Sequence, residues 1–198
     1  MTMNLNKKTG LFFGSFNPVH TGHMILAHYM VEFAGLDQVW FILSPQSPFK
    51  KRQNLLDDHH RLALVKEAVD DDPRFRAMDI EFKLPRPSYT IHTLAYLREQ
   101  YPVKDFALIM GSDILPTFHK WKNYEQILED YDLYVYPRPG FTANPYAGHP
   151  RVHLIDGVPL IQISSSFIRE SIGNGHDMRY FLPERVNTYI REMHFYEG

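Results

Sequence analysis

The sequence predicts a doubly wound α/β fold, a mainly parallel sheet with helices on both faces and further helices at the C-terminus. Three observations carry that reading. Short, wholly apolar runs alternate with stretches of helical period; the runs lack the polar alternation of a half-exposed strand; and the segments between them allow parallel crossovers. The 198 residues, 44% of them hydrophobic, fit one domain over 1–198, with no tandem repeat, low-complexity tract or clear linker to divide it.

Taken in order, 11–13 is the first strand, 21–34 the helix that follows, with Gly35 as its stop, and 38–43 (QVWFIL) the second strand. A polar loop, SPQSPFKKRQN, leads to a helix through HHRLALVKEAV that Asp57 is placed to cap. The third strand is 75–79. After the LPRPSYT loop come a helix (IHTLAYLREQ), a fourth strand (DFALIMG), a helix (NYEQILED) and a fifth strand (YDLYVYPR). Beyond Gly140 the pattern loosens: 141–150 is a loop, VHLIDG and LIQI read as short strands, and helices follow at 165–172 and 183–193. The pairs Asp57-Asp58 and His59-His60 read as capping or surface groups, and Asp70-Asp71-Asp72 as a solvated helix end before Pro73.

A formal net charge of −2 argues against a general nucleic-acid binder, whose affinity comes from excess Lys and Arg, while leaving a local cationic pocket open. With no cysteine, a disulfide framework, a thiolate zinc site and a cysteine nucleophile are excluded, which suits a reducing compartment. The first strand arrives before a signal-like apolar stretch develops, and no run approaches the roughly 18 apolar residues of a membrane span. The expectation is a cytoplasmic protein with no membrane or nucleic-acid partner.

The chemistry concentrates where the first strand ends, in GLFFGSFNPVHTGH (10–23). In open parallel sheets ligands gather beyond the carboxyl ends of strands, where loops enter helix N-termini. Gly14 lets backbone approach a ligand, and the amides and dipole of a helix starting near Thr21 favour an anion such as phosphate. His20 and His23, three apart, share a helix face and can reach one phosphate chain together. On spacing alone an HxxH metal pair, a capping or core histidine and ordinary turn chemistry stay open. The loop is neither a P-loop nor a dinucleotide fingerprint.

HTGH at 20–23 resembles the (H/T)xGH signature of the nucleotidylyltransferase superfamily, and ISSSFIRE at 163–170 resembles its ISSTxIR motif, with Ser166 in place of Thr. PSYT (87–90), GSDILPTFHKW (111–121), PRPG (137–140) and LPERVNTYI (182–190) are similar to the bacterial nicotinate mononucleotide adenylyltransferase family, so that the resemblance spans nearly the whole chain. It implies a Rossmann-like fold and transfer of the adenylyl group of ATP to nicotinate mononucleotide, giving deamido-NAD and pyrophosphate. Nicotinamide mononucleotide or pantetheine phosphate as acceptor, and a non-catalytic nucleotide-binding module, are the alternatives; a homo-oligomer stays open.

The resemblance also implies roles. Gly14, Ser15 and Phe16 line the junction of the two nucleotides; His20, His23 and Arg169 contact the ATP phosphates and serve catalysis. Ser165 and Ser166 start the last phosphate-facing helix, Gly111 and Asp113 form the GxD element that receives ribose hydroxyls, and Arg138 joins the ATP side. Lys50, with Lys51 beside it as a substitute, neutralises a substrate phosphate; Tyr89 and Thr90 face the nicotinate end, and Trp121 stacks on the pyridine ring. Pro137 stands where an Arg often precedes the RPG triplet. Mg2+ is the implied cofactor, held mainly by phosphates and water, with no dedicated protein ligands. A phosphate monoester has a second pKa of about 6, so its oxygen attacks without a general base. A carboxylate between the histidines would repel both substrates.

Overall fold

Six strands, β1 (Lys8–Gly14), β2 (Gln38–Leu43), β3 (Phe75–Met78), β4 (Asp105–Gly111), β5 (Asp132–Tyr136) and β6 (Val152–Leu154), form one sheet in the order β3-β2-β1-β4-β5-β6. They belong to a computed structural model that describes residues 7–45 and 55–197. Every pairing between these strands is parallel, so the expected mainly parallel sheet is wholly so. Seven helices accompany it: α1 (Thr21–Glu32), α2 (Asp58–Val69), α3 (Ile80–Lys83), α4 (Thr90–Gln100), α5 (Tyr124–Asp130), α6 (Ser165–Gly173) and α7 (Glu184–Glu192), with a 3-10 helix at Leu115–Lys120.

The wholly apolar strands are explained by the two layers. Along β1 and β2 alternate residues serve opposite cores: Phe12, Phe41 and Leu43 pack with Ala27 and Met30 of α1, Leu64 and Val65 of α2, Ile168 of α6 and Val186 and Ile190 of α7. Leu11, Trp40 and Ile42 pack on the other face with Leu94 and Leu97 of α4 and Ile127 of α5. A strand covered on both sides has no solvent face to write in polar residues. Among the described residues no helix is long and apolar enough to cross a membrane.

Several sequence expectations change in detail. Gly35, at φ +78°, turns the chain after α1 as expected. Residues 160–163, expected as a strand, pair with none of the six; they follow Pro159, which lacks a ladder donor, and contribute to a cleft instead. Helix α3 and the 3-10 helix were not legible because neither is long enough to show a period. Asp57 takes the N-cap position of α2, where its carbonyl accepts from His60 and Arg61, but its side chain makes no cap bond among the described residues. The acidic run at 70–72 is not purely solvated: Asp70 and Asp71 meet Arg185 at 2.6 and 3.5 Å, tying α2 to the start of α7.

Candidate active site

The chain reverses its direction of winding between β1 and β4, the place in an open parallel sheet where loops diverge and leave a crevice. A cleft of about 660 Å³ opens there, lined by Gly14, Ser15, Phe16, His20, His23, Arg138, Ser165, Ser166 and Arg169 among others. Nine sequence-predicted residues from four separate stretches are thus brought together. Tyr89, Thr90, Gly111, Asp113 and Trp121 are not in the cleft lining, and Lys50, with Lys51, lies outside the described residues.

The floor is built by a tight, locally strained loop. Phe16 sits at φ +43°, a region that costs a side-chain-bearing residue roughly 1–2 kcal/mol. Its buried ring recovers that by packing edge-on to Phe12, His23 and Phe41, with centroids at 5.6, 5.1 and 5.4 Å. The ring folds back over Gly14, where a Cβ would stand 2.9–3.1 Å from it, so glycine is required at position 14. Phe16 therefore supports the backbone at Gly14.

Four of the five carbonyl groups from Gly14 to Pro18 are tied away. Gly14 O accepts from the Ser44 amide at 3.0 Å, Ser15 O from Arg61 at 2.6 Å, Asn17 O from Arg169 at 2.7 Å and Pro18 O from the Ser165 hydroxyl at 2.9 Å. With the acceptors engaged, the loop presents little partial negative charge to an incoming anion.

His20 is the N-cap residue of α1, in extended backbone, and its amide donates to Nδ1 of His23 at 3.2 Å. That bond makes Nδ1 the acceptor and leaves Nε2 to carry the proton of the neutral His23 ring. The two imidazoles stack at 3.7 Å. Burial, with Arg138 nearby, pushes His20 down to about 4, and burial with the neighbouring His20 and Arg138 holds His23 well below the usual histidine range. Both are therefore neutral at pH 7 in the free protein, so the pair offers N–H donors rather than two cations. Nδ1 of His20 is buried and has no hydrogen-bond partner among the described residues. The start of α1 is less open than the sequence implied, because the Thr21 amide donates to Phe181 O at 2.9 Å.

Across the cleft, Ser164 caps α6, its hydroxyl accepting from the Phe167 amide at 3.1 Å. Arg169, one turn in, is aimed by its bonds to Asn17 O and to Ser166 Oγ at 3.2 Å. Arg138 arrives from the end of β5: its guanidinium lies 5.2 Å over the Tyr136 ring and 3.8 Å from Asp113 Oδ1. A Cβ on Gly111 would fall 2.2 Å from that carboxylate oxygen and 3.0 Å from Arg138 Cγ, which links the GxD element to the cleft edge. Among the described residues no Asp or Glu lines the cleft, and no group of three or more His, Asp or Glu stands together to hold a metal. This donor set fits a divalent cation that arrives on a polyphosphate.

The residues assigned to the nicotinate end lie toward the other core. Trp121 packs on Phe118, centroids 5.1 Å apart, and Tyr89 precedes α4 with Lys122 4.7 Å over its ring. Phe13, which lines the cleft, joins the same core as Trp121. Sequence reasoning missed Arg61 and Asp58, read as part of a polar helix start, because a helical Arg is mostly a surface residue. It also missed Tyr196, whose hydroxyl donates to Asn17 Oδ1 at 2.8 Å from the far end of the chain. The apolar wall at 158–163 carried only the signal of a short apolar run.

Residues 11–171 match the family described as Cytidylyltransferase-like. A probable nicotinate-nucleotide adenylyltransferase of Flavobacterium johnsoniae is 50% identical over 194 residues, covering 96% of this chain and 99% of the relative. One of the same description from Bacteroides fragilis is 51% identical over 183 residues, covering 92% and 90%. Among solved structures, a Plasmodium falciparum nicotinic acid mononucleotide adenylyltransferase complexed with NaAD superposes with a TM-score of 0.78 at 18% identity, covering 96% of this chain and 97% of its own. A putative Vibrio parahaemolyticus nicotinate-nucleotide adenylyltransferase gives 0.72 at 22% identity, covering 97% and 96%. At those identities the superpositions establish the fold, the Rossmann-like arrangement that the sequence predicts. The near-complete, half-identical relatives establish more: this chain belongs to the nicotinate-nucleotide adenylyltransferase family.

Proposed function

We propose that the cleft transfers the adenylyl group of ATP to nicotinate mononucleotide, releasing pyrophosphate and forming deamido-NAD, with the division of labour that follows. The observation that carries this reading is the pairing of two stacked, neutral imidazoles with Arg169 and Arg138 in a cleft whose described lining holds no carboxylate. The acceptor phosphate is already largely ionised at neutral pH, its second pKa being about 6, so the site has no proton to remove from it. Its task is to bring two anions into line and to stabilise the charge that develops on the departing pyrophosphate.

Each residue then has a role of its own. The Gly14–Ser15–Phe16 backbone, with the Gly14 and Ser15 carbonyls tied away, receives the junction of the nucleotides. The Nε2–H of His23 donates to an oxygen on which charge accumulates, and His20 binds the same phosphate chain. Arg169 and the capped start of α6, with Ser165 and Ser166, hold the outer phosphates. Asp113 accepts the ribose hydroxyls and Arg138 holds it in place. Mg2+, bound through the triphosphate, would further neutralise the phosphate charge. Lys50 is assigned to the mononucleotide phosphate. Tyr89, Thr90 and Trp121 are assigned to its pyridine end, where backbone donors and a positive potential would favour a carboxylate over a neutral amide.

The test is pyrophosphate release with ATP and Mg2+, comparing nicotinate mononucleotide, nicotinamide mononucleotide and phosphopantetheine. A clear preference for the first in kcat/KM is expected. Preference for another acceptor would keep the phosphate chemistry and overturn the roles of Tyr89, Thr90 and Trp121. No turnover with any would make the protein a nucleotide-binding module.

A further inference from the structure

Arg61, on the first turns of α2, is fully buried. A guanidinium has five N–H donors, and the structure gives this one five partners. Nε donates to Leu56 O at 3.0 Å, one terminal nitrogen to Ser15 O at 2.6 Å and Ser44 O at 3.1 Å, and the other to Pro45 O at 3.4 Å and Asp58 Oδ1 at 2.5 Å. Four of the five are backbone carbonyls from three stretches of chain: the loop after β1, the end of β2 and the approach to α2. Asp58 supplies the countercharge and is itself met by Arg86 at 3.0 Å.

A buried ion pair is an inefficient way to stabilise a fold, because desolvation offsets most of its attraction and apolar residues of similar volume often do as well. Another role has to account for a charge here, and the partners show which. Of the clamped residues Ser15 and Ser44 line the cleft, so the clamp joins the backbone on which the two nucleotides meet to the wall beside it. It also takes the Ser15 carbonyl, which would otherwise stand unpaired beside anionic phosphates in the row of carbonyls from Gly14 to Pro18.

We propose that Arg61 is a positioning residue for adenylyl transfer: it holds the Ser15 peptide in the one orientation that presents donors rather than an acceptor to the reacting phosphates. Because Arg61 has no exposed atom with which to touch substrate, its effect falls on alignment. Alignment errors appear mainly in kcat, while the ground-state contacts of ATP to Arg169 and the α6 start remain. The inference rests on the cleft being the site of transfer.

The experiment compares the native protein with Arg61→Lys and Arg61→Gln by melting temperature, kcat and KM for pyrophosphate release, equilibrium binding of ATP, and hydrogen exchange of the 12–20 segment. Lysine keeps the charge and loses the fork. The expected result for a folded Arg61→Lys protein is a kcat lowered by about tenfold or more, an ATP dissociation constant within about threefold of native, and faster exchange across 12–20. A folded variant with native kcat, or a rate loss that disappears once scaled to the folded fraction, overturns the proposal.

If neither Arg61 variant folds, Asp58→Asn decides, since that side chain is partly exposed and keeps one acceptor oxygen. It should show the same pattern more weakly, with kcat down by about threefold and faster exchange. Native kcat with unchanged exchange there also overturns the role. The exchange readout needs no turnover, and native kinetics are run on whichever acceptor the protein prefers. A wrong acceptor would therefore be seen separately from a wrong role for Arg61.

Discussion

The His20 amide donates to Nδ1 of His23 while the two rings stack face to face, so one residue caps the helix, fixes its neighbour's tautomer and covers one face of its ring. The same burial sets a pH dependence. His20 titrates near 4 in the folded protein and near 6.5 when unfolded, so between those values the unfolded chain binds the extra proton and stability falls as pH drops. Above 6.5 both states are neutral and nothing is lost; by pH 4.5 His20 alone accounts for about 2–3 kcal/mol. Urea unfolding of native protein and His20→Asn between pH 6.5 and 4.5 should show the native curve falling more steeply. Parallel curves would mean that His20 is not the group responsible.

His23→Ala should lower kcat by about 10²–10³ with ATP affinity changed by no more than about threefold, because the Nε2–H donor matters most where charge builds up. Single-turnover rates and equilibrium ATP binding on the same protein separate the two. Equal losses in both would reduce His23 to a binding contact.

Gly111→Ala places a methyl group on the Asp113 carboxylate and beside Arg138. Both must move, and overpacking of this kind costs about 1–3 kcal/mol. The KM for ATP should rise about tenfold, a change worth about 1.4 kcal/mol, with the acceptor KM nearly unaffected. A rise confined to the acceptor would place Asp113 on the wrong nucleotide.

Trp121→Ala separates two readings of a ring that packs on Phe118 but belongs to the same core as cleft residue Phe13. If it stacks on pyridine, the acceptor KM rises about tenfold while ATP binding holds; loss of one aromatic stacking partner is on the order of 1 kcal/mol or somewhat more. If it is purely structural, melting temperature falls and both substrates weaken together.

Much of this architecture was legible because its causes are local. The central strands announced themselves since a strand buried on both faces has few polar positions, and β2 and β4 fall where the pattern placed them, at 38–43 and 105–111. Eight of the nine residues that meet in the cleft were legible through two motifs about 140 residues apart and Arg138 through PRPG; the winding of the sheet then explains their convergence. What stayed hidden depends on distant chain. Nothing in DDHHR says that its arginine will be buried under the first loop, and nothing in the final FYEG says that Tyr196 will reach Asn17. The protonation of the histidines was equally out of reach, because burial and the proximity of Arg138 are tertiary facts.

The Arg61 clamp recognises main chain at four of its five contacts. Main-chain carbonyls are common to all residues, so the side chains at 15, 44, 45 and 56 take no part in holding the loop. Of these positions 15 and 44 line the cleft, and they form a pair that directed evolution can randomise together. A library there would alter the chemistry offered to the acceptor while leaving the anchor intact, whereas the same library at 58 or 61 would dismantle it.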